Sequence, residues 1–240
     1  QRTNAAFRSS AERLNAATLD RAAGALTYRI FGCDEQRNAD YDVQAQQMEE
    51  IARISLDNPE NAVPYIVREV FSSLIDITKK DTANLAAPTD EQVQARKKLI
   101  SNFIVMENAK QGQGQVKLPY QLTEKDFALA NELSPMEQAE RNKEYALYTI
   151  SILAKIYTDE VEKQTGNIVP LTDLPGSAAI VDALRFNPNS GVKIAAIDAL
   201  RHIQRPEYKE ELTTLYTLAQ ADSNPQVSMA AERALNRSNV

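Results

Sequence analysis

The sequence predicts an all-α protein built of antiparallel helical hairpins that stack on one another. Three observations carry that expectation. The 240 residues include only seven glycines and no tryptophan, while alanine, leucine, glutamine and glutamate abound. Few glycines leave few of the tight turns that join strands, and the abundant residues are strong helix formers. Apolar side chains recur at three- and four-residue spacing along most of the chain, without sustained period-two alternation. Near the end, one nine-residue pattern occurs twice, 35 residues apart (Val192 and Val227).

The elements follow in order. Phe7, Leu14, Leu19, Ala22, Ala23 and Leu26 give a thin, alanine-rich helical face, and residues 32–40 are polar and read as a loop. Val43, Met48, Ile51, Ile54 and Leu56 mark a helix that stops at Asp57-Asn58-Pro59, because proline cannot continue it. The next helix carries Val63, Ile66, Val67, Val70, Phe71, Leu74 and Ile75, with Pro64 in its first turns. Thr89 with Gln92 forms a capping box that opens a helix bearing Val93, Leu99, Ile100, Phe103, Ile104 and Met106. Gln111-Gly112-Gln113-Gly114-Gln115 is the most flexible-looking stretch. Thr123 with Asp126 starts a short helix running to about Leu133.

Ser134-Pro135 with Glu137 then opens the longest helix, with serine as cap and proline in the first helical position. Its stripe includes Tyr145, Tyr148, Ile152, Ile156 and Tyr157, and Gly166 is a natural left-handed stop. The three tyrosines read as half-buried side chains with hydroxyls at the rim. Ile168-Val169 could be extended, but one short run makes no sheet.

The repeated pattern is V-x-x-A-A-x-x-A-L, at residues 192–200 and 227–235. Valine, the second alanine and leucine fall at i, i+4 and i+8 on one helical face, and the small alanines admit a close neighbour. Asn187-Pro188-Asn189-Ser190 and Asp222-Ser223-Asn224-Pro225 are polar turns that end one helix and cap the next. Residues 177–186, with Ile180, Val181 and Leu184, supply the helix before the first copy. Pro206 opens the helix before the second, with Tyr208, Leu212, Leu215, Tyr216 and Leu218. Over residues 176–238 the chain resembles the HEAT repeat family, in particular the short bacterial HEAT-like repeats. That family commonly has a basic residue after the valine; Lys193 fits and Ser228 departs. The resemblance implies an α-solenoid-like superhelix that acts as a protein-binding scaffold. A minority of the family is associated with chromophore-lyase activity, for which no residue here carries over. Two copies are fewer than a free-standing solenoid needs, so the upstream helices are expected to complete the stack, with the helix from Pro135 packing on the first hairpin.

Charge and chemistry narrow the function classes. A net charge of −6 disfavours a phosphate backbone as partner, and Lys79-Lys80 and Arg96-Lys97-Lys98 are short enough to be solvated helix faces. Cys33 is the only cysteine, so an intramolecular disulfide is excluded. Ile30-Phe31-Gly32-Cys33 has Asp20, Arg21 and Arg29 before it, which rules out an apolar signal core. His202, the only histidine, has no second imidazole with which to build a metal or nucleophile site, and reads as the edge of a helix contact. Asp40 with Asp42, Glu49-Glu50, Asp159-Glu160 and Glu210-Glu211 lack the glycine and distal glutamate of a calcium loop and read as surface. The Gly-x-Gly pair has no strand before it and no Lys-Ser after it, so it is no phosphate loop. No run is long enough to cross a membrane.

The expected organisation is an N-terminal helical region at 1–111, a Gly/Gln loop at 112–122 and a C-terminal region at 123–240. The expected function is a protein–protein interaction scaffold without catalysis, cofactor or metal; an oligomer-forming protein and an all-helical hydrolase or lyase are the alternatives. Lys193, Arg201, Arg233 and Arg237 are the candidate partner-binding residues, for an acidic or extended polypeptide. Gln1 in place of methionine fits either a trimmed chain or removal of a signal peptide, and composition leans slightly towards a bacterial periplasmic or secreted setting over a cytoplasmic one.

Overall fold

The computed structural model describes Met48, Ile51, Ala52, Ser55 and Asp57, residues 71–110, Gly112 and residues 116–238. The expectations placed on residues 1–47 (the alanine-rich face, the 32–40 loop and Cys33), on most of the helix over 43–56, on residues 58–70 and on 113–115 lie outside the described residues. Among the described residues the protein is all-α, with eight helices and no strand. They are α1 (Phe71–Lys79), α2 (Asp90–Ala109), α3 (Glu124–Asn131), α4 (Pro135–Thr165), α5 (Ser177–Phe186), α6 (Ser190–His202), α7 (Lys209–Gln220) and α8 (Pro225–Ser238). Two 3₁₀ turns, Leu171–Asp173 and Pro206–Tyr208, precede α5 and α7. No helix among the described residues is long and apolar enough to cross a membrane.

The chain divides into two compact units, one of residues 82–138 and one of residues 1–81 with 139–240. The Gly/Gln segment falls inside the smaller unit. That unit is the α2/α3 hairpin, and its helix starts are those expected. Thr89 and Gln92 exchange side-chain and backbone bonds at the start of α2, and Thr123 and Asp126 do so at α3. Ser134 and Glu137 form the same reciprocal pair before α4. Arg96 grips both carboxylate oxygens of Glu137 at 2.7 and 3.0 Å and donates to the carbonyls of Ala130 and Glu132. Lys98 reaches Asp126 at 3.4 Å, so two of the three residues in the basic run there are engaged in ion pairs. Asn102, 4% exposed, bonds both the N–H and the carbonyl of Tyr120.

The apolar stripe expected on α2 faces the other way. The covered positions are Gln92, Ala95 and Asn102, whereas Ile100, Phe103, Ile104 and Met106 are each at least half exposed. The reason is the polar clamp: Arg96 and Asn102 bind backbone groups of the neighbouring segments and turn their own face inward. Val116, Leu118, Tyr120 and Phe127 add to the exposed apolar surface of this unit. Patches of this kind mark contact surfaces more often than chance apolar exposure does.

The larger unit carries the repeat. α5 packs on α6 and α7 on α8; across the pairs, α5 meets α7, α6 meets α8, and α1 meets α5. α4 runs alongside α6. Glu144 approaches Gly191, Tyr148 bonds Asp198, Lys155 faces His202, and Asp159 and Glu162 bind Arg205. Residue numbers rise together on the two sides, so α4 and α6 are parallel. The α4 positions are three, four or seven apart, which keeps them on one helical face. The packing of the Pro135 helix on the first hairpin is therefore observed, and Gly166 ends that helix at φ 71°.

The two copies of the pattern fold alike. Asn187 Oδ1 accepts from Asn189 N, and Asn189 Oδ1 caps α6 through Val192 N. At the same offset Asp222 Oδ1 accepts from Asn224 N, and Asn224 Oδ1 caps α8 through Gln226 N and Val227 N. Val192 and Val227, Ala196 and Ala231, and Ala199 and Ala234 are all buried. The alanines leave room for the neighbouring helix, while Ile197, Leu200, Leu212 and Tyr216 fill the space between layers. Full burial of each large apolar side chain contributes about 1.5–3 kcal/mol. Ser228, which stands where the first copy has Lys193, donates to the Gln220 carbonyl at the end of α7.

Tyr145 departs from the expectation for the α4 tyrosines. It is 3% exposed and part of the core, while Tyr148 and Tyr157 are half-buried. The buried hydroxyls of Thr149, Ser151 and Thr158 on the same helix donate back to carbonyls three or four residues earlier.

Candidate interaction groove

Lys193 and Arg201 both lie on α6 and are both engaged. Lys193 Nζ is 2.6 Å from Asp222 Oδ2 and ties α6 to the turn before α8. The Lys193 ammonium, then the Asn224 N–H, hold the Asp222 carboxyl below its ordinary pKa, against the opposing effect of burial. A depressed carboxyl contributes stability that is present above the ordinary carboxylate pKa and lost as pH falls through the depressed value. Both side chains are about one-fifth exposed or less, so Lys193→Met is expected to lose about 1 kcal/mol at pH 7. Thermal melts should show that difference shrinking below about pH 4. A pH-independent difference would mean that the loss comes from packing of the lysine stem.

Arg201 lies 3.8 Å from Asp198 one turn back. Burial raises the Asp198 carboxyl above its ordinary pKa, opposed by Arg201 and by the Tyr148 hydroxyl that bonds it. Arg233 and Arg237 are exposed one turn apart on α8. His202 stands at the edge of the α4–α6 contact, as expected. Lost hydration and then Lys155 hold its pKa down, while Asp159 pulls it up. No group of three or more His, Cys, Asp or Glu among the described residues is placed to hold a metal ion.

A concavity of this unit lies away from these residues. A groove of about 520 Å³ lies between the first 3₁₀ turn, α5 and α7. That volume is in the range of ordinary binding clefts. Leu171, Ala178, Val181 and Leu215 supply its apolar lining, and Ser177, Thr172 and Thr214 add hydroxyls. Asp182 on α5 and Glu210 and Glu211 on α7 bring three carboxylates, and no basic residue lines it. The local causes are legible. Glu210 and Glu211 occupy the first turn of α7, where negative charge complements the helix end. Leu215 lies one turn beyond Glu211, and Val181 lies beside Asp182, so each helix presents apolar and acidic positions side by side.

Ser177 to Asp182 on α5 and Glu210 to Leu215 on α7 line the groove. Beyond the lining residues each helix bears a further exposed apolar side chain. Phe186 follows Asp182 by one turn on α5 and is 71% exposed, and Leu218 follows Thr214 by one turn on α7 and is 52% exposed. Arg185 lies over the Phe186 ring, 5.4 Å from its centre. In the sequence Glu210-Glu211 reads as solvated surface; its companions Val181 and Asp182 are 28 or more residues away, and only the α5–α7 contact brings them together. No known protein family, curated protein or solved structure matched this chain.

Proposed function

We infer that the chain is a helical-repeat interaction module whose HEAT-like hairpins hold a polypeptide partner and carry out no reaction themselves. The observation that carries this reading is the groove of about 520 Å³ opened between successive hairpins at α5 and α7. Further support comes from the layering. α1, α5 and α7 adjoin in one row, α6 and α8 in another, and side chains of α4 meet α6, with a capping turn reproduced 35 residues on. In that description α1 and α4 act as an upstream hairpin, and the segment 80–134 between them in the chain carries α2 and α3. This supplies the third layer that two copies alone lack. A photoreactive side chain at Thr214, inside the groove, should couple the protein to a polypeptide. Failure to couple, with the protein folded, would remove the basis of the reading.

A further inference from the structure

The geometry points to a basic, amphipathic polypeptide segment as the occupant of the α5/α7 groove, an inference that rests on the interaction-module reading. Two observations specify it. The groove end carries Asp182, Glu210 and Glu211 around an apolar lining with no basic group. One turn farther along the same helix faces stand Phe186 and Leu218, large apolar side chains with most or half of their surface in water. A partner that satisfies both has lysine or arginine at one end, meeting the carboxylates, and apolar side chains along the rest, covering Val181, Leu215, Phe186 and Leu218. Arg185, which lies against Phe186, and Lys209, the first residue of α7, both stand outside the groove lining. This charge pattern differs from the sequence expectation of an acidic partner for Lys193 and Arg201, both of which are already paired within the chain.

The distinction between a peptide and a bare cation is built into the site. Three carboxylates alone would attract any polyamine by charge. The apolar lining and the exposed Phe186 and Leu218 add a contribution that only an amphipathic chain can use. Binding should therefore depend on salt, and also on the apolar groups of the ligand.

The test uses the full chain and fluorescence anisotropy with three labelled probes: a leucine/lysine amphipathic peptide, the same peptide with glutamate for lysine, and a lysine peptide without the leucines. The first is expected to bind roughly tenfold or more tighter than either of the others, and to weaken at high salt. Combined Asp182→Asn, Glu210→Gln and Glu211→Gln should cost the first probe roughly tenfold in affinity, and Leu215→Glu a similar factor. Circular dichroism melts on each variant confirm that the unit is folded. Equal binding of the glutamate peptide, equal binding of the leucine-free peptide, or indifference to the triple substitution would overturn the proposal. If the peptides fail while Thr214 still couples to a polypeptide, the module reading stands and the basic-partner inference falls. If both fail, both fall.

Discussion

Replacing Gly176 by alanine is expected to cost about 2–4 kcal/mol, from a left-handed dihedral and a steric clash together. Gly176 precedes α5 at φ 79°. A Cβ there would lie 2.4 Å from Ile150 Cγ2 and 3.0 Å from Phe71 Cε1. Ile150 on α4 and Phe71 on α1 are buried, so neither has space to retreat. The left-handed backbone costs an L-residue about 1–2 kcal/mol and overpacking a further 1–3, while the stiffer unfolded chain returns about 0.4–1. Gly166 is the internal control: it has φ 71° but nothing within 4 Å of its Cβ direction. Gly166→Ala should therefore lose only about 1 kcal/mol. Urea titrations of the two variants separate the contributions, and equal losses would show that α1, α4 and α5 do not converge at Gly176.

Tyr208→Ala is expected to lose about 3–5 kcal/mol, the range for emptying a buried aromatic site. The ring is 1% exposed between the second 3₁₀ turn and α4, and its hydroxyl donates to the Val169 carbonyl at 2.5 Å. Tyr208→Phe keeps the ring and removes that bond, for a loss of about 1 kcal/mol. Tyr216 gives the opposite expectation. Its side chain is fully buried on α7, and its hydroxyl makes no hydrogen bond among the described residues. Burial raises its phenol pKa well above the ordinary value, so the group stays neutral. Tyr216→Phe should be neutral or stabilising by up to about 1 kcal/mol, because a polar atom buried without a partner is removed. Chemical denaturation read by far-UV circular dichroism orders the three variants. A Tyr216→Phe loss matching that of Tyr208→Phe would place an unseen partner on the Tyr216 hydroxyl.

The local signals in the sequence were strong where they concern a helix's own ends. Thr89, Thr123 and Ser134 each cap the helix that their spacing to Gln92, Asp126 and Glu137 marked. Gly166 ends α4, and the V-x-x-A-A-x-x-A-L copies occupy equivalent buried faces on α6 and α8. These follow from interactions within a few residues and from helical periodicity. The orientation of α2 was not legible, because it is set by Arg96 and Asn102 binding backbone groups 18 to 36 residues away. The same holds for Tyr145, whose burial depends on which side of α4 is wrapped. The groove was illegible for a third reason. Its parts are ordinary surface residues on two separate helices, and their significance arises only when α5 and α7 stand side by side. Lys193 shows the converse: a cation that looks available in sequence is consumed by Asp222 across the same 35-residue unit.

We propose the α5/α7 groove as the surface by which this protein holds a polypeptide. Photo-crosslinking from a single reactive residue tests it most directly, with the probe placed at Thr214 in the groove or at Glu232, exposed on α8. Polypeptide adducts are expected from Thr214, in a yield that Leu215→Glu sharply lowers, and few from Glu232. Equal yields from both positions, or a Thr214 yield that Leu215→Glu leaves unchanged, would contradict it.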